Sequence, residues 1–342
     1  VVAGSRINLR LTYTVGRYGI DDSGGLLVVE RLVTDSAPVQ FTDPDAPNHV
    51  RIRASRRDVR FDLRWGTKVN QRPWGRGIEA HVAAGYLRAG DRVTIEYRNW
   101  RFQTFCETGK QLRVLIDPFA TMDYAEVVDS PRFDVTPGPP ARLVAVAPSR
   151  VATGERFAIG VKLEDAWGNP CTQRRSTVKL QAHEPVAGLP KSVKLERGAA
   201  RIAGLCARQA GVIDLAASCG QLTAQANPIL VGHDHGDDDR RRLWCDLHGQ
   251  TGETVGTGTI DDYFRFARDV AFVDVAGHQG NDFQITDAFW RRLNQVTRRF
   301  TRAGRFIALP GYEWSGNTAV GGDRNVFHRR EGGPLYRSSH AL

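Results

Sequence analysis

The pattern of this sequence changes near residue 243, and no other feature constrains the fold as strongly. Upstream, short apolar runs alternate with turn formers and no segment sustains helical periodicity. Downstream, strand-like runs are separated by amphipathic stretches of helical period. Strand–turn–strand patterns build antiparallel sheets, whereas strand–helix–strand patterns build parallel strands with right-handed crossovers. A length of 342 residues is also too great for one ordinary core, so a multidomain chain is expected.

Residues 1–136 carry the first β pattern. Ile7-Asn8-Leu9-Arg10-Leu11-Thr12-Tyr13 alternates apolar and polar residues as a half-buried strand does, and 50–52, 59–63, 93–97 and 114–116 are further strand candidates. Asp21-Asp22-Ser23-Gly24-Gly25, Asp43-Pro44-Asp45 and Ala89-Gly90-Asp91 supply turns, so an antiparallel sandwich is expected. Thr136-Pro137-Gly138-Pro139-Pro140 reads as a linker, because proline fixes φ and lacks an N–H donor.

A second β region covers residues 137–231, with strand-like runs at 141–146, 156–163, 177–180 and 211–217. Its segment Asp165-Ala166-Trp167-Gly168-Asn169-Pro170 resembles a turn of bacterial immunoglobulin-like domains, which implies an immunoglobulin-like sandwich. Gly and Asn tolerate positive φ there, and Pro stops the strand. Residues 232–242 read as a polar linker. His233, Asp234 and His235 lie in it, but no strand or helix would hold them as a metal site.

In residues 243–342, the runs 243–247, 272–276 and 306–309 read as strands. Thr259 with Asp262 makes a capping-box-like helix start, followed by Tyr263, Phe264 and Ala267 on one side. Thr286 caps a longer helix in which Phe289, Leu293, Val296 and Phe300 recur at helical spacing, with Arg291, Arg298 and Arg299 opposite. Parallel α/β folds collect ligands where strands end. The three strands lead into Asp246-Leu247-His248-Gly249-Gln250, Gly277-His278-Gln279-Gly280-Asn281-Asp282 and Pro310-Gly311-Tyr312-Glu313-Trp314. Alternation sets Asp246, His248 and Gln250 on one face. Taken singly, each His is more often an ordinary hydrogen-bonding residue and Glu313 a salt-bridge partner. Three such groups at successive strand ends point to a metal. Imidazole nitrogen with carboxylate oxygen suits a divalent zinc, manganese or iron ion.

The formal charge is +9, but Arg is scattered through every region with acids interspersed, as where Asp237-Asp238-Asp239 precedes Arg240-Arg241-Arg242. That distribution favours a solvated surface over a nucleic-acid groove. The five cysteines, Cys106, Cys171, Cys206, Cys219 and Cys245, form no CxxC pair and are expected as reduced thiols. No apolar run approaches the roughly 18–20 residues of a membrane span. With no signal peptide in residues 1–20, a soluble cytoplasmic protein is expected.

Trp244-Cys245-Asp246-Leu247-His248-Gly249-Gln250-Thr251 resembles the D-L-H-x-H-[ST] opening of the PHP (polymerase and histidinol phosphatase) hydrolases. His278 stands where those proteins have a D-H motif, and Pro310-Gly311-Tyr312-Glu313 resembles their P-G-x-E. The segments 277–283, 311–316 and 322–326 are more closely similar to a bacterial relative, the domain of unknown function 3604 family. The resemblance implies two antiparallel β-sandwich-like domains followed by the first part of a parallel α/β, distorted TIM-type barrel. It implies metal-assisted hydrolysis of a small anionic substrate of the phosphate-ester class. The implied ligands are His248, His278 and Glu313, with Asp246 behind them and Gln250, Gln279 and Asp323 as lesser members of the site. Arg324 would bind the anion or form a structural ion pair. Glu253, Asn281 and Asp282 are polar neighbours without an assigned role. Two departures weaken the pattern: Gln250 replaces the second His of the opening, and Gly277 replaces the Asp before His278. The alternatives are a β-sandwich binding or adhesion protein with a degenerate PHP-like domain, and an amidohydrolase-like C–N hydrolase.

Overall fold

The computed structural model describes residues 1–173, 175–232, 243–316 and 318–340. His233, Asp234, His235 and the charged run to Arg242 lie outside the described residues. The chain divides into two compact units, Val1–Thr136 and Pro137–Leu342.

In the first unit, a three-stranded antiparallel sheet has the order Arg6–Thr14, Arg92–Arg101, His49–Ala54. A five-stranded sheet has the order Arg60–Gly66, Arg76–Ala84, Gly25–Glu30, Arg113–Asp117, Ala125–Glu126. Val93 and Ile95 of the first sheet share a core with Leu26, Val28 and Ile78 of the second. Gly25–Glu30 is buried at every position. Leu26 and Val28 face that core, while Leu27 and Val29 face a smaller cluster with Val69 and Leu115. A strand covered on both faces loses the alternation that marks a half-buried one. At its end Lys110, 2% exposed, reaches Glu30 Oε1 at 3.0 Å.

In the second unit, three sheets built from residues 142–232 enclose one core that includes Val161, Leu163, Val178 and Leu215. The Asp165 carboxylate organises the turn at 165–170. It accepts from the amides of Trp167, Asn169 and Gly138 at 2.9 Å each, and Gly168 takes φ +90°. Burial opposes ionisation of Asp165, but these donors outweigh it and hold the carboxyl below its usual range.

The described residues 243–340 form no parallel α/β barrel, and the fold expected from the sequence is corrected on this point. Across the chain the described residues hold twenty-six strands and two α-helices. Parallel pairing in this region comprises a three-stranded sheet, Cys245–Gly249, Val275–His278 and Ile307–Leu309, and a single bridge between Asn281 and Glu313. Helices α1 (Ile260–Asp269) and α2 (Asp287–Phe300) are capped by Thr259 and Thr286, whose side chains accept from Asp262 N and Phe289 N. They bury Phe264, Leu293, Val296 and Phe300 in a core with Phe306. After the third strand the chain turns back on itself. Gly311–Ser315 pairs antiparallel with Asp323–Phe327. Only residues 316–322 join them, too short for a parallel crossover of a dozen or more residues. Gly321 and Gly322, at φ +94° and +75°, make the reversal.

Among the described residues the five cysteines form no disulfide. No helix among the described residues is long and apolar enough to cross a membrane.

Removing Lys110 leaves the Glu30 carboxylate buried without its cation. Lys110→Ala should therefore lower the unfolding free energy by about 3–5 kcal/mol, and Lys110→Met with Glu30→Leu should recover much of that loss. Urea denaturation of the three proteins checks both outcomes. A single variant as stable as the parent would show that the pair contributes nothing.

Candidate functional site

The three expected ligands come from three elements, and the structure separates them into one closed group and one open pair. His278 ends the strand Val275–His278 and is fully buried. Its ring stands edge-on to Phe289 and Tyr263. Nδ1 lies 3.2 Å from the Gly280 amide, which can only donate, so Nδ1 is the acceptor. Nε2 lies 3.0 Å from Thr251 Oγ1, whose own hydrogen goes to Glu253. Nε2 therefore carries the proton and donates to Thr251. Both contacts fix the same neutral tautomer. Burial alone pushes the His278 pKa down to about 3. A ring with both nitrogens engaged by the protein has no lone pair to offer an ion.

Glu313, in the strand Gly311–Ser315, is 8% exposed. Its Oε2 accepts from Asn281 Nδ2 at 2.6 Å and Gln250 Nε2 at 3.2 Å. Gln250 is held in turn by the Thr254 hydroxyl, which donates to Oε1 at 2.8 Å. Burial raises the Glu313 pKa, with the charges of Asp323 and Asp282 acting in the same direction; His248 and Asn281 oppose them.

His248 faces the remaining Glu313 oxygen, with Nε2 3.9 Å from Oε1. Its Nδ1 lies 2.9 Å from Asn325 Oδ1. With that amide so oriented, Nδ1 donates to Asn325 and Nε2 is the nitrogen turned towards Glu313. The His248 side chain is 51% exposed, so this pair is open to solvent.

The other expected residues divide by strand geometry. Asn325 pairs directly with Glu313, and Asp323 pairs with Ser315, so alternation places Asp323, Asn325 and Glu313 on one face. Arg324 pairs with Trp314 on the opposite face, where its guanidinium lies 5.8 Å from the Trp314 ring. Asp246 accepts from the His248 amide at 3.2 Å and lies 3.3 Å from the Tyr263 hydroxyl. A register irregularity between Asp246 and Gly249 interrupts regular alternation at this edge. Gln279 is fully buried and donates to the His278 and Val326 carbonyls, while its Oε1 has no partner among the described residues. Asp282 ties the region together, accepting from the amides of Ser315 and Ser338 at 2.8 and 2.5 Å. Asn281 and Asn325, which no motif assigned, hold the two site residues. Their signal was only a polar side chain next to a motif residue.

Among the described residues no group of three or more His, Cys, Asp or Glu side chains gathers where one metal ion could sit. A three-ligand centre of His248, His278 and Glu313 does not fit this arrangement, because the His278 ring is engaged on both sides.

No family model matches the chain. Over 236 residues, 67% of this chain, it is 24% identical to an uncharacterised protein of Chlamydia pneumoniae and 23% identical to one of Chlamydia trachomatis serovar D. The matched part covers 37% of the length of each relative. Of solved structures, the D0-D1 domain of intimin aligns over 68% of this chain and 93% of that chain, at 12% identity and a TM-score of 0.23. A β-glycosidase from Bacteroides vulgatus aligns over 62% of this chain and 25% of its own, at 13% identity and a TM-score of 0.27. These overlaps are too slight to carry an argument.

The buried neutral His278 has a consequence for stability. Its folded pKa lies below the unfolded value of about 6.5, so only the unfolded chain takes up the proton between those values. The contribution of His278 is complete above about pH 6.5 and falls as the pH drops towards 3, by up to about 1.4 kcal/mol per pH unit. Urea denaturation across this range should show that slope in the parent and a shallower one in His278→Gln. Equal slopes would place the ring in water.

Proposed function

We propose that this chain is a β-domain binding protein whose third region carries a degenerate relative of the PHP metal site. One observation carries the reading: both nitrogens of His278, the middle ligand of the expected set, are bound within the protein. Gln250 supports it, since it stands where the PHP opening has a second His and spends its amide on holding Glu313. Most of the strands among the described residues pair antiparallel, and their sheets supply broad faces on which a partner can rest.

A second reading, a metal-dependent phosphoesterase, is favoured by the His248–Glu313 pair. Its two facing atoms are 3.9 Å apart, a span that one ion with bonds of about 2.0–2.2 Å could bridge.

Calorimetric titration of the full chain with zinc and with manganese, followed by a panel of phosphate esters, separates the two. The binding reading predicts no stoichiometric metal uptake and no metal-dependent turnover. One-to-one uptake lost in both His248→Ala and Glu313→Gln, together with ester hydrolysis, would replace it with the second.

A further inference from the structure

The solvent face of the three-stranded sheet in the first unit is a grid of guanidinium groups. Cross-strand register sets Arg10, Glu96 and Arg51 in one row and Thr12, Thr94 and Arg53 in the next. Thr14 and Arg92 form the row after that. Arg98 lies two residues from Glu96 on the central strand and shares its face. The other face of these strands, including Leu11, Ile52, Val93 and Ile95, lies against the core. Five arginines thus share one face with a single carboxylate, a formal +4.

That carboxylate spaces the cations. Arg10, Arg53 and Arg98 reach Glu96 at 2.8, 3.1 and 3.9 Å, so their guanidinium groups are held on the sheet. Burial opposes ionisation of Glu96, but hydrogen bonds from Arg53 and Arg10 hold its carboxyl below the ordinary range. Arg51 and Arg92 stand exposed outside these ion pairs. Neighbouring strands repeat every ~4.8 Å and same-face residues along a strand every ~6.6 Å. The backbone positions that carry these cations therefore recur at several-ångström intervals along and across the sheet.

The partner follows from what the face lacks. Its rows carry no Phe, Tyr or Trp, and the ring of His49, opposite Arg98, is buried, so the bases of single-stranded nucleic acid find no platform to stack on. A flat sheet face cannot enter the major groove of a duplex as a helix or a two-stranded ribbon does. No apolar side chain projects from the rows to anchor in a lipid surface. Arginine's planar fork suits the paired oxygens of carboxylate and sulfate groups. We propose that this face binds an acidic polysaccharide, whose carboxylate or sulfate groups are held by Arg10, Arg51, Arg53, Arg92 and Arg98. The proposal rests on the binding reading above and names its surface and partner. Metal uptake at His248 and Glu313 does not bear on it, so the two can fail separately.

Binding of the full chain to polygalacturonate and to heparin tests it, with neutral dextran and single- and double-stranded DNA as comparisons. Polygalacturonate isolates the carboxylate arm and heparin adds the sulfate arm. At least one should bind, more weakly as salt rises, and Arg51→Glu with Arg92→Glu should weaken it by about tenfold or more. Arg51→Gln with Arg92→Gln is a milder pair should the charge reversal unfold the sheet. Arg60→Glu with Arg132→Glu, on other strands, should leave binding unchanged. Failure to bind either polysaccharide, equal loss in the control pair, or tighter binding to DNA would overturn the proposal.

Discussion

A histidine ring taken out of water needs one donor and one acceptor, and His278 obtains both from its own chain. Thr251 takes the Nε2 proton and the Gly280 amide donates to Nδ1. The rest of the site depends on that arrangement. Gly280 accepts from the Glu313 amide at 2.8 Å, and the Glu313 carbonyl accepts from the Asp282 amide at 2.8 Å. The segment leaving His278 therefore fixes the backbone that carries Glu313. A side chain at position 280 would meet the His278 ring at 2.8 Å and Thr254 at 2.7 Å, so the glycine is required by close packing.

The site that results is an oriented pair with a polar surround. Asn281 and Gln250 hold one oxygen of Glu313, and Asn325 holds one nitrogen of His248. The remaining oxygen and nitrogen face each other near solvent. Amides do the orienting where a metal centre would use further imidazoles or carboxylates, and they add no charge to offset an ion. Glu313 is accordingly easier to protonate than an ordinary carboxylate, chiefly because it is buried.

The sequence showed some of this plainly and hid the rest for physical reasons. Helix caps and apolar spacing placed α1 and α2, because Thr259 and Thr286 precede regular stripes of buried side chains. The strand Gly25–Glu30 gave no alternation because both its faces are covered. Two strand–helix steps leading to a third strand suggested a barrel, and the antiparallel return after Ser315 ended that pattern. Residues 316–322 gave no helical stripe, and this absence was the available sign. His278 shows a deeper limit. Its motif position resembles that of a metal ligand, but the partners that occupy its nitrogens are a hydroxyl from position 251 and an amide from position 280. Neither contact leaves a pattern in residue type. Arg324 shows the reverse, since alternation from Glu313 and Asn325 already sets it on the other face.

The central claim is that His278 belongs to the protein's internal hydrogen bonding and is closed to metal. Nitrogen-detected magnetic resonance of the histidine rings, recorded at neutral pH with and without excess zinc, tests it most directly. The account predicts a neutral His278 ring protonated at Nε2, unchanged by zinc. A zinc-dependent shift of either His278 nitrogen, or loss of that proton, would contradict it.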